Sequence, residues 1–150
     1  MNRQLTLLFI LILTLKLELS AQIPEVLFEK TYASTYRCGS KGLVETYDQG
    51  FLIVGWETLG DGNVFASVVR IDSVGNKVWS SSYGKPWGES NLIRAEARDV
   101  VRTPNGNYVI SGEGEFEGVV VNGREFPFKN GFIFEIDDCG ILIWEQSYRL

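Results

Sequence analysis

The feature that most constrains this chain is an internal repeat, because a pattern that recurs along a sequence builds the same supersecondary unit each time. Ile71-Asp72-Ser73-Val74-Gly75-Asn76-Lys77-Val78-Trp79 through Tyr83 matches Ile136-Asp137-Asp138-Cys139-Gly140-Ile141-Leu142-Ile143-Trp144 through Tyr148. Isoleucine, aspartate, glycine, tryptophan, serine and tyrosine coincide. A second block, Thr46-Tyr47-Asp48-Gln49-Gly50-Phe51-Leu52-Ile53-Val54-Gly55, matches Thr103-Pro104-Asn105-Gly106-Asn107-Tyr108-Val109-Ile110-Ser111-Gly112. The second copy carries an insertion between its two blocks. A partial third copy, Phe28-Glu29-Lys30-Thr31-Tyr32, keeps the spacing from aromatic residue to tyrosine seen in Trp79 to Tyr83 and Trp144 to Tyr148.

Each full copy divides into four short apolar-alternating segments separated by turn residues, which predicts four strands per unit. In the first unit these are residues 41–46, 51–56, 64–72 and 77–83. In the second they are 97–103, 108–112, 131–136 and 141–148, and strands in each unit are called A to D below. Asp72 and Asp137 can accept from their own backbone two residues on, and Gly75 and Gly140 can take the positive φ that closes a hairpin. Asp48-Gln49-Gly50 and Asn105-Gly106-Asn107 are placed to do the same between A and B. A helix over 90–101 competes locally, since Ser90 could cap it and Ala95, Glu96 and Ala97 are helix formers. A loop leading into strand A is preferred. Four antiparallel strands at a period of about 50 residues are expected of a propeller blade, so the fold class is all-β, a partial β-propeller of two four-stranded blades plus one N-terminal closing strand at residues 26–32. A small β-sandwich is the competing architecture. The recurring tryptophan favours the propeller.

These blocks resemble the tandem Ile-Asp-x-x-Gly-Asn-x-x-Trp-x-x-x-Tyr and Thr-x-Asp-Gly-Gly-Tyr-x-Ile-x-Gly repeats of secreted bacterial β-propeller proteins. The second unit, with Gly114-Glu115-Phe116-Glu117-Gly118 and Phe132-Ile133-Phe134-Glu135-Ile136-Asp137, is similar to the related SBBP-type repeat. The resemblance covers nearly all of residues 25–150 and implies a scaffold rather than a particular activity. It also implies that these residues open a longer parent chain, which in such proteins often ends in a sorting domain for outer-surface export.

The N-terminus sets the expected compartment. Arg3 precedes an apolar run from Leu5 to Leu15, broken only by Thr6 and Thr14, and Leu19-Ser20-Ala21-Gln22 offers a cleavage site. Residues 1–21 therefore read as a signal peptide with Gln22 as the mature start. The run is too short for a membrane-spanning helix, with Lys16 and Glu18 closing it. The expected location is secreted, periplasmic or at the outer cell surface. The remaining boundaries are an N-terminal strand at 22–36, a first blade at 37–84, and a second blade at 85–150 with a long B-to-C insertion.

With 14 basic and 19 acidic residues the net charge is −5, and removal of the leader makes it more acidic still. Scattered basic residues do not form a phosphate-neutralising stripe, so no nucleic-acid partner is expected. The chain has no histidine, which removes Ser-His-Asp and Cys-His constellations and every histidine metal site. No glycine loop ends in Lys-Ser or Lys-Thr, and no dinucleotide fingerprint follows a strand. No catalytic residue, cofactor or metal is expected. Cys38 and Cys139, in an exported chain, suggest a disulfide. The strand assignment instead puts them at opposite ends of the blades, which predicts two free thiols.

In a meander, successive turns alternate between the two ends of the sheet. Trp56, Trp87 and the insertion at 113–130, a B-to-C loop in which Asn122-Gly123 gives an extra hairpin between residues 119–121 and 124–126, then share one end. That end is the candidate binding surface, suited to a carbohydrate or a protein, with Trp56 and Trp87 as stacking residues. The same tryptophans could merely cover the blade ends. Glu113, Glu115 and Glu117 alternate along one side of an extended segment; they could gather a cation or form a solvated face. Trp79 and Trp144 recur at one position and are expected to pack between blades. Two functions stay open: a non-catalytic binding or structural module with possible self-association through open blade faces, or the non-catalytic N-terminal part of a larger extracellular enzyme acting on polysaccharide.

Overall fold

The computed structural model describes residues 26–32, 36–60, 62–84 and 92–149. The proposed signal peptide lies outside them. Among the described residues eight strands form one mixed sheet: β1 (Cys38–Glu45), β2 (Phe51–Thr58), β3 (Val64–Ile71), β4 (Lys77–Tyr83), β5 (Leu92–Arg102), β6 (Tyr108–Val121), β7 (Arg124–Ile136) and β8 (Leu142–Arg149). They make two antiparallel meanders, β1 to β4 and β5 to β8, joined by a single parallel bridge between Val64 and Arg94. The chain is all-β, and the repeat units coincide with the meanders.

The turns repeat as closely as the sequence does. Asp72 Oδ1 accepts from the amides of Val74 and Asn76, and Asp137 Oδ1 from those of Cys139 and Ile141. Gly75 and Gly140 sit at φ 78° and 81°, which a residue with a Cβ adopts only with strain. In the A-to-B turns the positive φ falls on Gln49 (66°) and Gly106 (93°). Gly50 is needed for a different reason: a Cβ there would lie 2.2 Å from the Ile71 carbonyl oxygen.

Strand A carries the same bulge in both units. Lys41 is the extra residue between the pairs Ser40 to Gly55 and Gly42 to Val54, and Arg98 is the extra residue between Ala97 to Gly112 and Asp99 to Ser111. The bulge pushes backbone toward strand B, so a Cβ on Gly55 would lie 1.9 Å from the Gly39 oxygen and one on Gly112 2.3 Å from the Glu96 oxygen.

The core lies between the meanders. Leu52, Val54, Ala66 and Val68 of the first unit pack against Tyr108, Ile110, Phe132, Phe134 and Ile136 of the second, with Ala95 and Ala97 of β5 between them. Burying each large apolar side chain contributes about 1.5–3 kcal/mol. Period-2 alternation explains the choice of residues, since each strand turns one set inward. Tyr83 reaches over the joint to Phe134, ring centroids 5.0 Å apart.

Three expectations change. Residues 26–32 form no strand: they run beside the Asp72 turn and are held there by side chains, Lys30 on Asn76 and Tyr32 on Gly75. The insertion has the expected hairpin at Asn122-Gly123, but its flanks are paired strand rather than loop. It extends β6 and β7 into a long hairpin closed by Asn122 (φ 52°) and Gly123 (φ 74°), the pair that a two-residue turn favours. Glu117 and Gly118 bulge opposite Pro127, which has no N–H to offer the ladder. Finally, β5 is a strand where a helix or loop competed, because Ala95 and Ala97 are drawn into the core between the units.

Candidate functional site

Beside the joint of the two meanders lies a cavity of about 410 Å³ lined by Lys41, Trp56, Arg94, Glu96, Arg98, Glu113, Gly114, Glu115 and Lys129. Three of the five residues singled out from the sequence, Trp56, Glu113 and Glu115, meet here. Trp87 lies outside the described residues. Glu117 is placed only as a backbone position in β6, at the bulge that ends the alternation of Glu113 and Glu115.

The strand bulges bring in two residues that the sequence did not flag. An ordinary strand would put Lys41 and Arg98 in step with their neighbours, whereas as bulged residues both are aimed at this cavity. Strand B supplies Trp56 near its end, seated over Gly39, where a Cβ would lie 2.9 Å from the indole nitrogen. The glycine therefore shapes the floor under Trp56. The same indole lines a second cavity of about 340 Å³ on the outer face of the first unit.

The charges of the cavity are ordered around Glu96, whose side chain is 8% exposed. Arg94 pairs with one of its oxygens and Arg98 with the other, the latter at 3.1 Å. Arg98 also pairs with Glu113, and Lys129 lies 3.7 Å from Glu115. The hydrogen bond from Arg98 holds the Glu113 carboxyl below its ordinary range. Glu113 and Glu115 are thus each matched to a cation of the protein rather than grouped around a metal-sized vacancy. Among the described residues no three acidic, thiol or imidazole groups gather as metal ligands. The network holds its guanidinium and carboxylate groups in fixed positions, which suits hydrogen bonding to hydroxyl-rich or charged groups.

At the other end of the units a second ionic cluster is structural. The Arg70 side chain is 4% exposed and donates to Asp48 at 2.5 Å, to the Ile71 carbonyl at 2.5 Å and to Asp138 at 3.4 Å. Asp48 belongs to the first A-to-B turn and Asp138 to the second C-to-D turn, so one arginine ties the two units. The Thr46 hydroxyl, then Arg70, hold the Asp48 carboxyl down to about 2. Tyr108 donates to Asp138 at 3.0 Å, and burial pushes its hydroxyl well above the ordinary phenol range.

Cys38 and Cys139 are both free and exposed. Trp79 packs against the core and donates to the Asp138 carbonyl at 3.0 Å. Trp144 departs from the expectation of packing between blades. It is 41% exposed and bonds the Glu135 carboxylate, because no further hairpin turn among the described residues faces it. Among the described residues no helix is long and apolar enough to cross a membrane.

No protein-family model matches the chain, and no curated protein matches it in sequence.

Proposed function

We propose that the chain is a non-catalytic repeat module of an exported protein, built from two blades of a β-propeller, and that it binds a hydroxyl-rich, carbohydrate-type ligand in the cavity beside Trp56. The observation that carries the binding reading is the meeting in one cavity of one half-buried tryptophan, the paired arginine and glutamate side chains around Glu96, and two lysines. An aromatic face beside oriented charged hydrogen-bonding groups is the chemistry that sugars require. The blade reading is supported by the shared design of the meanders. Both bulge in strand A, and the two A strands approach closely, with Gly42 in β1 lying against Asp99 in β5. Export rests on the N-terminal residues alone.

Affinity electrophoresis through gels containing single soluble polysaccharides tests the binding. At least one neutral or acidic polysaccharide retards the protein, Trp56→Ala removes the retardation, and Trp144→Ala keeps it. If no polysaccharide retards the protein, or if Trp56→Ala is retarded as strongly as the parent, the carbohydrate reading is wrong.

A further inference from the structure

The joint between the units is a repeated contact, and one copy of its donor half is exposed among the described residues. In the first instance Phe28 stacks over Gly75, where a Cβ would lie 2.6 Å from the ring, and Tyr32 donates to the Gly75 carbonyl at 2.7 Å. In the second, Trp79 stacks over Gly140, where a Cβ would lie 3.0 Å from the ring, and Tyr83 donates to the Gly140 carbonyl at 2.6 Å. The third donor pair, Trp144 and Tyr148 on β8, is 41% and 55% exposed. Both Asp-x-x-Gly turns among the described residues are already occupied, one by β4 and one by residues 26–32.

The faces behind these contacts match in the same way. The second unit presents Tyr108, Ile110, Phe132 and Phe134 to the joint, fully buried. Their counterparts in the first unit, Phe51, Ile53, Ser67 and Val69, are only half-buried. Ile53, Ser67 and Val69 line the outer cavity of about 340 Å³. Conversely, Leu52 and Val68 of the first unit are buried in the joint, while their counterparts Val109 and Ile133 on the outer face of the second unit are half-buried.

We infer that this protein associates head to tail with a second copy of itself: Trp144 and Tyr148 of one copy seat on the Asp72–Asn76 turn of the next, displacing Phe28 and Tyr32. The inference rests on the reading of the chain as stacked repeat units. The resident segment is a weak occupant. It is in no strand, and the Phe28 ring has no N–H for the Ser73 carbonyl, the counterpart of the Asp138 carbonyl to which the Trp79 indole donates. Trp144 brings that N–H. Gln146 stands where Lys30 does, and its amide can replace the ammonium that now donates to Asn76 Oδ1 at 2.7 Å. The Glu135 carboxylate that Trp144 would leave keeps the Asn107 amide at 2.7 Å. Glu135 occupies the place of Arg70, so the new joint lacks the arginine tie of the internal one and is the weaker of the two. A head-to-tail joint of this kind closes a ring when the rotation between copies permits and otherwise extends a chain.

Sedimentation velocity over a dilution series tests it. The purified protein sediments as concentration-dependent oligomers, and Tyr148→Phe and Trp144→Ala each weaken association about tenfold, the loss expected of one hydrogen bond or an anchoring ring. Phe28→Ala combined with Tyr32→Phe vacates the turn and strengthens association. Monomers at every concentration in both the parent and the Phe28/Tyr32 variant overturn the proposal, as does association unaffected by Tyr148→Phe. The underlying stacking is read separately in the monomer: Tyr83→Phe lowers the unfolding midpoint if the units are joined as described. An unchanged midpoint would refute the stacking itself rather than the self-association.

Discussion

The hydroxyl of Tyr83, at the end of the first unit, lies 2.6 Å from the carbonyl oxygen of Gly140, in the last hairpin turn of the second. Burial raises the Tyr83 hydroxyl above its ordinary value, so it stays protonated and donates throughout the physiological range. The bond fixes where a strand of one unit meets a turn of the next. Tyr83→Phe removes that donor while keeping the ring against Phe134, and the expected loss of unfolding free energy is about 1 kcal/mol. Tyr83→Ala also empties part of the core and loses about 3–5 kcal/mol. Urea unfolding followed by tryptophan fluorescence checks both.

Arg70 is the ionic counterpart of this contact. Arg70→Ala leaves Asp48 and Asp138 without their guanidinium, but both carboxylates are 62% exposed and can be rehydrated. The expected cost is therefore about 2 kcal/mol, below that of stranding a fully buried charge. Chemical denaturation of the variant beside the parent measures it.

Acid sensitivity follows from Asp48. Its carboxyl is held down to about 2 from an ordinary 3.8, so its stabilising contribution is complete above roughly pH 4 and disappears as the pH falls through about 2. In urea midpoints measured across that window, Asp48→Asn shows a shallower acid limb than the parent. An identical limb in the variant would contradict the assignment.

The paired tryptophans separate by context. Trp79→Ala loses packing against the core and the bond to Asp138, an expected cost of about 3 kcal/mol. Trp144→Ala, exposed at the far edge, loses less than about 1 kcal/mol. Thermal melts of the two variants at low protein concentration reveal the difference.

A Cβ at Gly55 would sit 1.9 Å from the Gly39 oxygen. Gly55→Ala is therefore expected to lower stability by about 3 kcal/mol or to shift the strand A bulge. Soluble yield and the urea midpoint report the first, and the environment of Trp56, read by its fluorescence, reports the second.

Much of this was legible in the residues, for physical reasons. Turn chemistry and period-2 alternation are local, so Asp72, Gly75, Asp137 and Gly140 announced their hairpins, and the apolar rows placed the strands of the first unit within a few residues, while β5, β6 and β7 run further than their apolar rows. The cavity was half legible. Trp56, Glu113 and Glu115 stood out through type and spacing, but Lys41 and Arg98 enter through bulges, and a bulge depends on what lies across the ladder. A signal was available: glycine recurs at Gly55 and Gly112 in the middle of otherwise apolar strands, as expected where another backbone approaches. The Arg94-x-Glu96 alternation was likewise a strand pattern obscured by the helix-forming character of Ala95, Glu96 and Ala97. The tip of the long hairpin was legible in Asn122-Gly123, but its length was not, because the charged residues flanking the tip suggested a loop where cross-strand pairing governs.

The Trp79–Tyr83 contact with the Asp137 turn has a consequence for how such a chain can change over generations. Every unit carries both halves of the joint, a Trp-x-x-x-Tyr strand to give and an Asp-x-x-Gly turn to receive. Duplicating or deleting one whole unit would therefore leave each surviving strand facing a turn it already fits, and the number of units could vary with no new interface having to arise.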